Sequence, residues 1–219
     1  MAIRFSELAS VWKTVSGLIE RGMIVSLGHS DASYLQASDA IALGISHTTH
    51  LFNAMRGFHH REPGVVGAVL DADGVTAELI ADGVHVHPSA VRLAVLRKGT
   101  SHICLVTDSC LAAGLGDGIY LRGNSQIEVT KNRAVLKGTQ TLAGGVVPLF
   151  AALKNTIDWC GLSVYDGVKM VSLNPARVLG LEAILGSLEQ GKQADLVIFD
   201  KEFKVKRTIL KGRQVFVSP

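Results

Sequence analysis

Apolar residues fall at helical spacing near the start of the chain: Leu8, Val11, Trp12, Val15, Leu18 and Ile19. They predict a helix over residues 6–21, ended by Gly22. Residues 23–27 form a short apolar run and predict a buried strand. A second helix is expected over 31–43, stopped by Gly44, and a strand over 45–50. Residues 51–75 lack either period and read as a loop. Strands are expected at 76–81 and 102–107. Between them, a helix starts at Pro88, keeps an apolar face at Val91, Ala94 and Val95, and ends at Gly99. Strand and helix alternate, as parallel βα units require.

After Asp108 the pattern changes. Residues 116–137 are glycine-rich with two short alternating runs, 126–129 and 134–136, which predict a β-hairpin insertion. Helices resume at 146–160 and 163–173. Asn174-Pro175 reads as a fresh N-cap and first turn, closed by Gly180. Strands are expected at 196–199, 205–210 and 215–217, with Gly212 in a turn. This tail reads as a small β appendage.

Composition narrows the class. Of 219 residues, 47% are hydrophobic and 19% charged, which excludes a disordered chain. The 23 glycines show no period of three, which excludes a collagen-like repeat. A net charge of +3 from scattered basic residues gives no nucleic-acid footprint. Cys104, Cys110 and Cys160 match no zinc spacing and read as reduced thiols, so a cytoplasmic location is expected. Arg4, Glu7, Lys13 and Glu20 interrupt any signal-peptide core, and the longest apolar stretch, 142–153, is far short of the ~20 residues needed to cross a bilayer. No membrane partner is expected.

The chemistry concentrates at the strand ends. The first strand runs into Gly28-His29-Ser30 and the second into His47-Thr48-Thr49-His50. The third runs into Asp82-Gly83-Val84-His85 and the fourth into Thr107-Asp108-Ser109. Active sites of parallel α/β folds are built at the C-terminal strand ends. One such His or Asp alone is most often a hydrogen-bonded structural residue; it is the recurrence at every end that points to chemistry. Two imidazoles can share a metal ion and a carboxylate beyond them can move protons. His47 and His50 are three residues apart and would face opposite ways on a strand. His50, further along, is therefore the expected companion of His29, and His47 is not expected to be a ligand. Spacing alone indicates a metal-dependent α/β hydrolase.

Longer strings sharpen this. Gly28-His29-Ser30-Asp31-Ala32, Thr49-His50-Leu51-Phe52-Asn53-Ala54-Met55 and Arg61-Glu62-Pro63-Gly64 resemble the N-acetylglucosamine-6-phosphate deacetylase family of the amidohydrolase superfamily. So do Ala81-Asp82-Gly83-Val84-His85, Val106-Thr107-Asp108, Thr141-Leu142-Ala143-Gly144 and Asn174-Pro175-Ala176-Arg177. The closing run, 191–196, is shared more widely across the superfamily. The resemblance covers nearly the whole chain.

What the resemblance implies is specific. His29 and His50 would hold a divalent metal, zinc or iron, and Asp108 would be the catalytic acid/base. Asn53, Ala54, Asp82, Gly83, Val84, His85, Leu142, Ala143 and Gly144 would contact the amino sugar. Arg61 would bind the phosphate, for which a guanidinium fork is suited, and in this family it can come from a neighbouring subunit. The reaction would be removal of the acetyl group from N-acetylglucosamine 6-phosphate, giving glucosamine 6-phosphate and acetate in amino-sugar catabolism. The alternatives are a truncated, non-catalytic homologue serving as a sugar-phosphate-binding or interaction subunit, and an amidohydrolase for another acylated amine. The Arg61 and His85 pair argues against the latter.

The implied fold is α/β: the second half of a (β/α)8 TIM-like barrel (four βα units), with the β-hairpin insertion and a small C-terminal β appendage. Residues 1–185 would form the partial barrel and 186–219 the β-sandwich strands. Family members are longer at the N-terminus and carry there a metal-binding glutamate that none of Glu7, Glu20, Glu62 or Glu78 matches. Gly145 stands where the family usually has Ser, in a turn that looks expanded. A half-barrel leaves open strand edges, so a homo-oligomer, or pairing with the missing N-terminal half, is expected.

Overall fold

The computed structural model describes residues 5–218, with side chains from residue 11 onward. Helix α1 spans Phe5–Ile19, and its expected face position Leu8 lies outside the described side chains. Four short strands, β1 (Ser26–Leu27), β2 (His47–Thr48), β3 (Thr76–Leu79) and β4 (Ile103–Leu105), form one parallel sheet in sequence order. The register places Leu27 beside Thr48, Thr48 beside Ala77 and Ala77 beside Ile103.

Helix α2 (Tyr34–Ala42) follows β1, and Ser33 caps it in a reciprocal box with Gln36. Helix α4 (Pro88–Lys98) follows β3, capped by the His87 ring and stopped at Gly99, whose φ of 69° suits glycine. Helices α5 (Leu149–Cys160) and α6 (Val164–Val171) complete the cover of the sheet. The main core gathers Leu51, Val69, Leu79, Val91, Ile103, Leu153 and Met170, each fully or almost fully buried.

Several sequence expectations are corrected. Residues 51–75 are not all loop: Gly64–Asp71 is helix α3, with every residue from Gly64 to Leu70 buried. A helix buried all round has no polar face and so shows no amphipathic period. Its Gly67 is forced, because a Cβ there would lie 2.1 Å from the Pro63 Cβ. The first strand is shorter and less buried than expected. Met23 and Ile24 are about half exposed, because β1 pairs only with β2.

The insertion is not a hairpin. Strands β5 (Gly118–Arg122), β6 (Ser125–Thr130) and β7 (Arg133–Leu136) form a three-stranded antiparallel sheet. The first strand was hidden because its apolar residues, Ile119 and Leu121, face outward. Its small core is Ala112, Ile127, Val129, Ala134 and Ala143.

Asn174-Pro175 does not start a helix either. Both lie inside α7 (Leu173–Val178), which begins after Ser172. Pro175 is tolerated there because first-turn N–H groups have no intrahelical partner. Asn174 is buried and donates to the Thr100 and Ile103 carbonyls at 2.7 Å each, tying α7 to the start of β4. The tail strands β8 (Leu196–Phe199), β9 (Val205–Leu210) and β10 (Arg213–Val217) form a separate antiparallel sheet. Phe199 meets Phe150 of α5 edge-on, with ring centroids 5.0 Å apart. Among the described residues no helix is long and apolar enough to cross a membrane, and the three cysteines are free.

Candidate active site

Just past the C-terminal ends of β1, β2 and β4, three non-glycine residues take left-handed backbone: His29 (φ 46°), His50 (φ 30°) and Asp108 (φ 44°). Such backbone is disfavoured by Cβ sterics and persists where the surroundings over-determine it. The His29 and His50 Nε2 atoms come to 2.9 Å, with the rings edge-on at a centroid distance of 4.7 Å. Gly28 permits the approach, since a Cβ there would stand 2.9 Å from the Thr49 Cβ.

The convergence suits a shared metal. Two zinc–nitrogen bonds of about 2.0–2.1 Å at a tetrahedral angle separate the nitrogens by about 3.3–3.4 Å, a few tenths of an ångström wider than the 2.9 Å hydrogen bond that joins the two rings here. The His50 Nδ1 is buried without a partner among the described residues. Among those residues no group of three His, Cys, Asp or Glu side chains could hold a metal ion, so the pair would need further ligands to do so.

His47 does not join the pair. Its Nε2 bonds the Glu78 Oε1 at 3.1 Å. Alternation is not the reason: β2 ends at Thr48, and His50 is aimed by its own left-handed bend. Glu78 was not expected here. Its only sequence signal is being the sole carboxylate in the otherwise apolar run from Ala77 to Ala81. His47, Glu78 and Cys104 line a cavity of about 330 Å³ between the sheet and Pro175, Val178 and Leu179. Burial pushes the Glu78 carboxyl up, but the His47 ring and the His50 N–H outweigh it and hold it below the ordinary value.

The β3 end closes on itself. Asp82 Oδ2 bonds the His85 Nδ1 at 2.6 Å, while Oδ1 accepts the Val84 and His85 N–H groups at 2.8 Å each. Both side chains are buried. Burial raises the Asp82 carboxyl, and the His85 ring and the two N–H groups more than offset it, leaving it lowered. The carboxylate therefore orients the His85 ring, with its Nδ1 engaged and, among the described residues, no side-chain partner on Nε2.

Asp108 is exposed, and its main chain is clamped rather than its carboxylate. Gly145 N–H donates to the Asp108 carbonyl at 2.7 Å, and Cys110 N–H to the Gly145 carbonyl at 2.9 Å. Leu142-Ala143-Gly144 thus lies alongside Asp108, held at its other side by Ala143 N–H on the Ala134 carbonyl. A Cβ on Gly145 would stand 2.0 Å from the Thr107 carbonyl oxygen, so glycine fits where the resemblance would put serine.

Other expected residues are dispersed. Asn53 turns its amide back to the His50 and Leu51 carbonyls, and Ala54 is exposed with φ 49°. Arg61 is exposed, its Nη1 on the His60 Nε2 at 2.9 Å, and among the described residues no hydrogen bond or ion pair joins it to the His29–His50 pair. Its loop is anchored nonetheless. Glu62 Oε1 accepts the Tyr34 N–H at 2.7 Å, and Arg56 forks onto Asp31 at 2.9 and 3.0 Å.

Residues 18–215 match the amidohydrolase family. The chain is 42% identical over 207 residues to the N-acetylglucosamine-6-phosphate deacetylase of Bacillus subtilis, covering 94% of this chain and 52% of that protein. It is 39% identical over 216 residues to the human enzyme of that name, covering 96% and 52%. Among solved structures, the deacetylase of Thermotoga maritima superposes with a TM-score of 0.88 at 36% identity, covering 94% of this chain and 56% of that one. A Mycobacterium smegmatis deacetylase variant, solved with N-acetyl-D-glucosamine 6-phosphate, gives 0.88 at 35% identity over 93% and 54%. The chain thus spans about half the length of the relatives it matches. The strand-end imidazoles, their left-handed turns and the family match agree, and the chain belongs to the amidohydrolase family.

Proposed function

We propose that the chain carries the catalytic half of a metal-dependent deacetylase acting on N-acetylglucosamine 6-phosphate, in amino-sugar catabolism in the cytoplasm. The observation that supports this most is the meeting of the His29 and His50 Nε2 atoms at 2.9 Å, at the ends of neighbouring parallel strands. In this reading, residues 1–185 are the second half of a (β/α)8 barrel with its insertion, and residues 186–219 belong to a β-sandwich. Further strands, from an N-terminal barrel half or a second copy, complete the sheet and the ligand set.

His29 and His50 would hold a zinc or iron ion through Nε2, a donor type both metals accept. When bound, the ion supplies Lewis-acid polarisation and makes a water more acidic. The chain's own groups do the rest. An Asp108 carboxylate oxygen takes one proton from the attacking water, whose oxygen bonds the acetyl carbon. The same carboxyl then gives that proton to the sugar nitrogen as the C–N bond breaks, releasing acetate and glucosamine 6-phosphate. Arg61 pairs with the phosphate. The Asp82-oriented His85 ring, Asn53, and the main chain of Ala54, Gly83 and 142–144 contact the sugar.

The experiment is acetate release from N-acetylglucosamine 6-phosphate by the zinc-loaded chain, beside Asp108→Asn and His50→Ala. Turnover lost in D108N with zinc content retained supports the assignment. Turnover retained in D108N refutes it, as does no turnover once the N-terminal barrel half is supplied, and the latter leaves sugar-phosphate binding as the reading.

A further inference from the structure

His50 sits where the ladder between β2 and β3 has ended, the last paired residues being Thr48 and Ala77. Its φ of 30° takes its amide out of strand geometry. An amide buried at such a bend needs an acceptor. Glu78 provides it: its Oε2 accepts the His50 N–H at 3.3 Å, and its main-chain oxygen accepts the Leu51 N–H at 2.9 Å. One residue thus receives two consecutive amides at the bend. On the other side, Asn53 takes the His50 carbonyl through both its main-chain N–H, at 2.9 Å, and its Nδ2, at 3.2 Å. The carboxylate is itself held, since its Oε1 lies 3.1 Å from the His47 Nε2.

We propose that Glu78, braced by His47, is the positioning residue that fixes the left-handed turn of His50 and so aims its Nε2 at the His29 Nε2. This gives His47 a role beside the pair without contact to it. Groups that orient metal-binding histidines from behind are worth typically 10- to 100-fold in metal affinity. The inference rests on the reading of His50 as a metal ligand only for its zinc readout; the turn itself is testable without metal.

The test uses the full chain and two readouts. In metal-free protein, amide hydrogen exchange is compared at His50 and Leu51 in the parent and in Glu78→Ala. The Leu51 acceptor is main chain and survives the substitution, whereas the His50 acceptor is removed. Exchange at His50 should quicken at least roughly tenfold relative to Leu51, while global loosening would move both alike. Zinc titration, with the ion alone as probe, should show affinity falling by roughly 10- to 100-fold in E78A, with Glu78→Gln restoring most of it. Equal exchange changes at the two amides, or unchanged zinc affinity in E78A, overturns the proposal. If E78A does not fold, His47→Leu takes its place: the unbraced carboxylate should again quicken His50 selectively, and an unchanged His50 refutes the idea. Zinc binding that survives His29→Ala combined with His50→Ala would remove the metal reading instead, leaving the exchange result to judge Glu78.

Discussion

Gly145→Ala isolates the contact that seats the Asp108 segment. The added Cβ would stand 2.0 Å from the Thr107 carbonyl oxygen and about a further ångström from its carbon, at 3.2 Å. That oxygen belongs to main chain just beyond β4, so it cannot swing aside as a side-chain end would. The glycine is also pinned, by its N–H on the Asp108 carbonyl at 2.7 Å and its carbonyl on the Cys110 N–H. Relief therefore means displacing one strand of the contact and lengthening these bonds. Overpacking of this kind costs about 1–3 kcal/mol. For a chain of 150–250 residues each kcal/mol lowers Tm by about 2–4 °C, so a loss of roughly 2–12 °C is expected. Thermal unfolding followed by circular dichroism measures it, with Gly74→Ala as control, since nothing lies within 4 Å of a Cβ there. A G145A melt coincident with the parent would show that the Thr107–Gly145 approach is not a feature of the folded chain.

Acid should destabilise the protein through Glu78 and Asp82, both held below their ordinary 4.5 and 3.8 by partners that outweigh burial. The unfolded chain takes up protons at those values while the folded chain resists, so stability present at neutral pH falls as pH drops below about 4.5; Asp82→Asn should flatten the acid limb of Tm against pH, and an unchanged slope would refute this. Cys104, whose thiol burial and the nearby Glu78 carboxylate push up to about 12, should resist iodoacetamide at pH 8 in the native state and react once unfolded, as read by mass spectrometry. Arg61→Ala should raise KM for the phosphorylated sugar by roughly 10- to 100-fold, the worth of one charge-assisted contact, and barely move it for the unphosphorylated analogue; equal effects on both would take Arg61 out of the phosphate site.

Local patterns carried much of this protein. The period of α1, the Gly44 stop after α2, and Pro88 opening α4 are dictated by neighbours within one or two turns, so the sequence displays them. The same holds for polar residues placed directly after apolar strands, which mark His29, His50, Asp82 and Asp108 in the sequence. Tertiary structure decided what is encoded between segments. Helix α3 has no polar face because other elements cover it on all sides, so its pattern gave no period. That His50 rather than His47 meets His29 follows from a left-handed turn held by Glu78, which lies 28 residues further along the chain. Gly145 is required by a carbonyl 38 residues earlier, brought to it by the pairing of Ser109 with Gly145. Such contacts depend on sheet register and loop closure, which fix distances between residues far apart in sequence, and no local period records them.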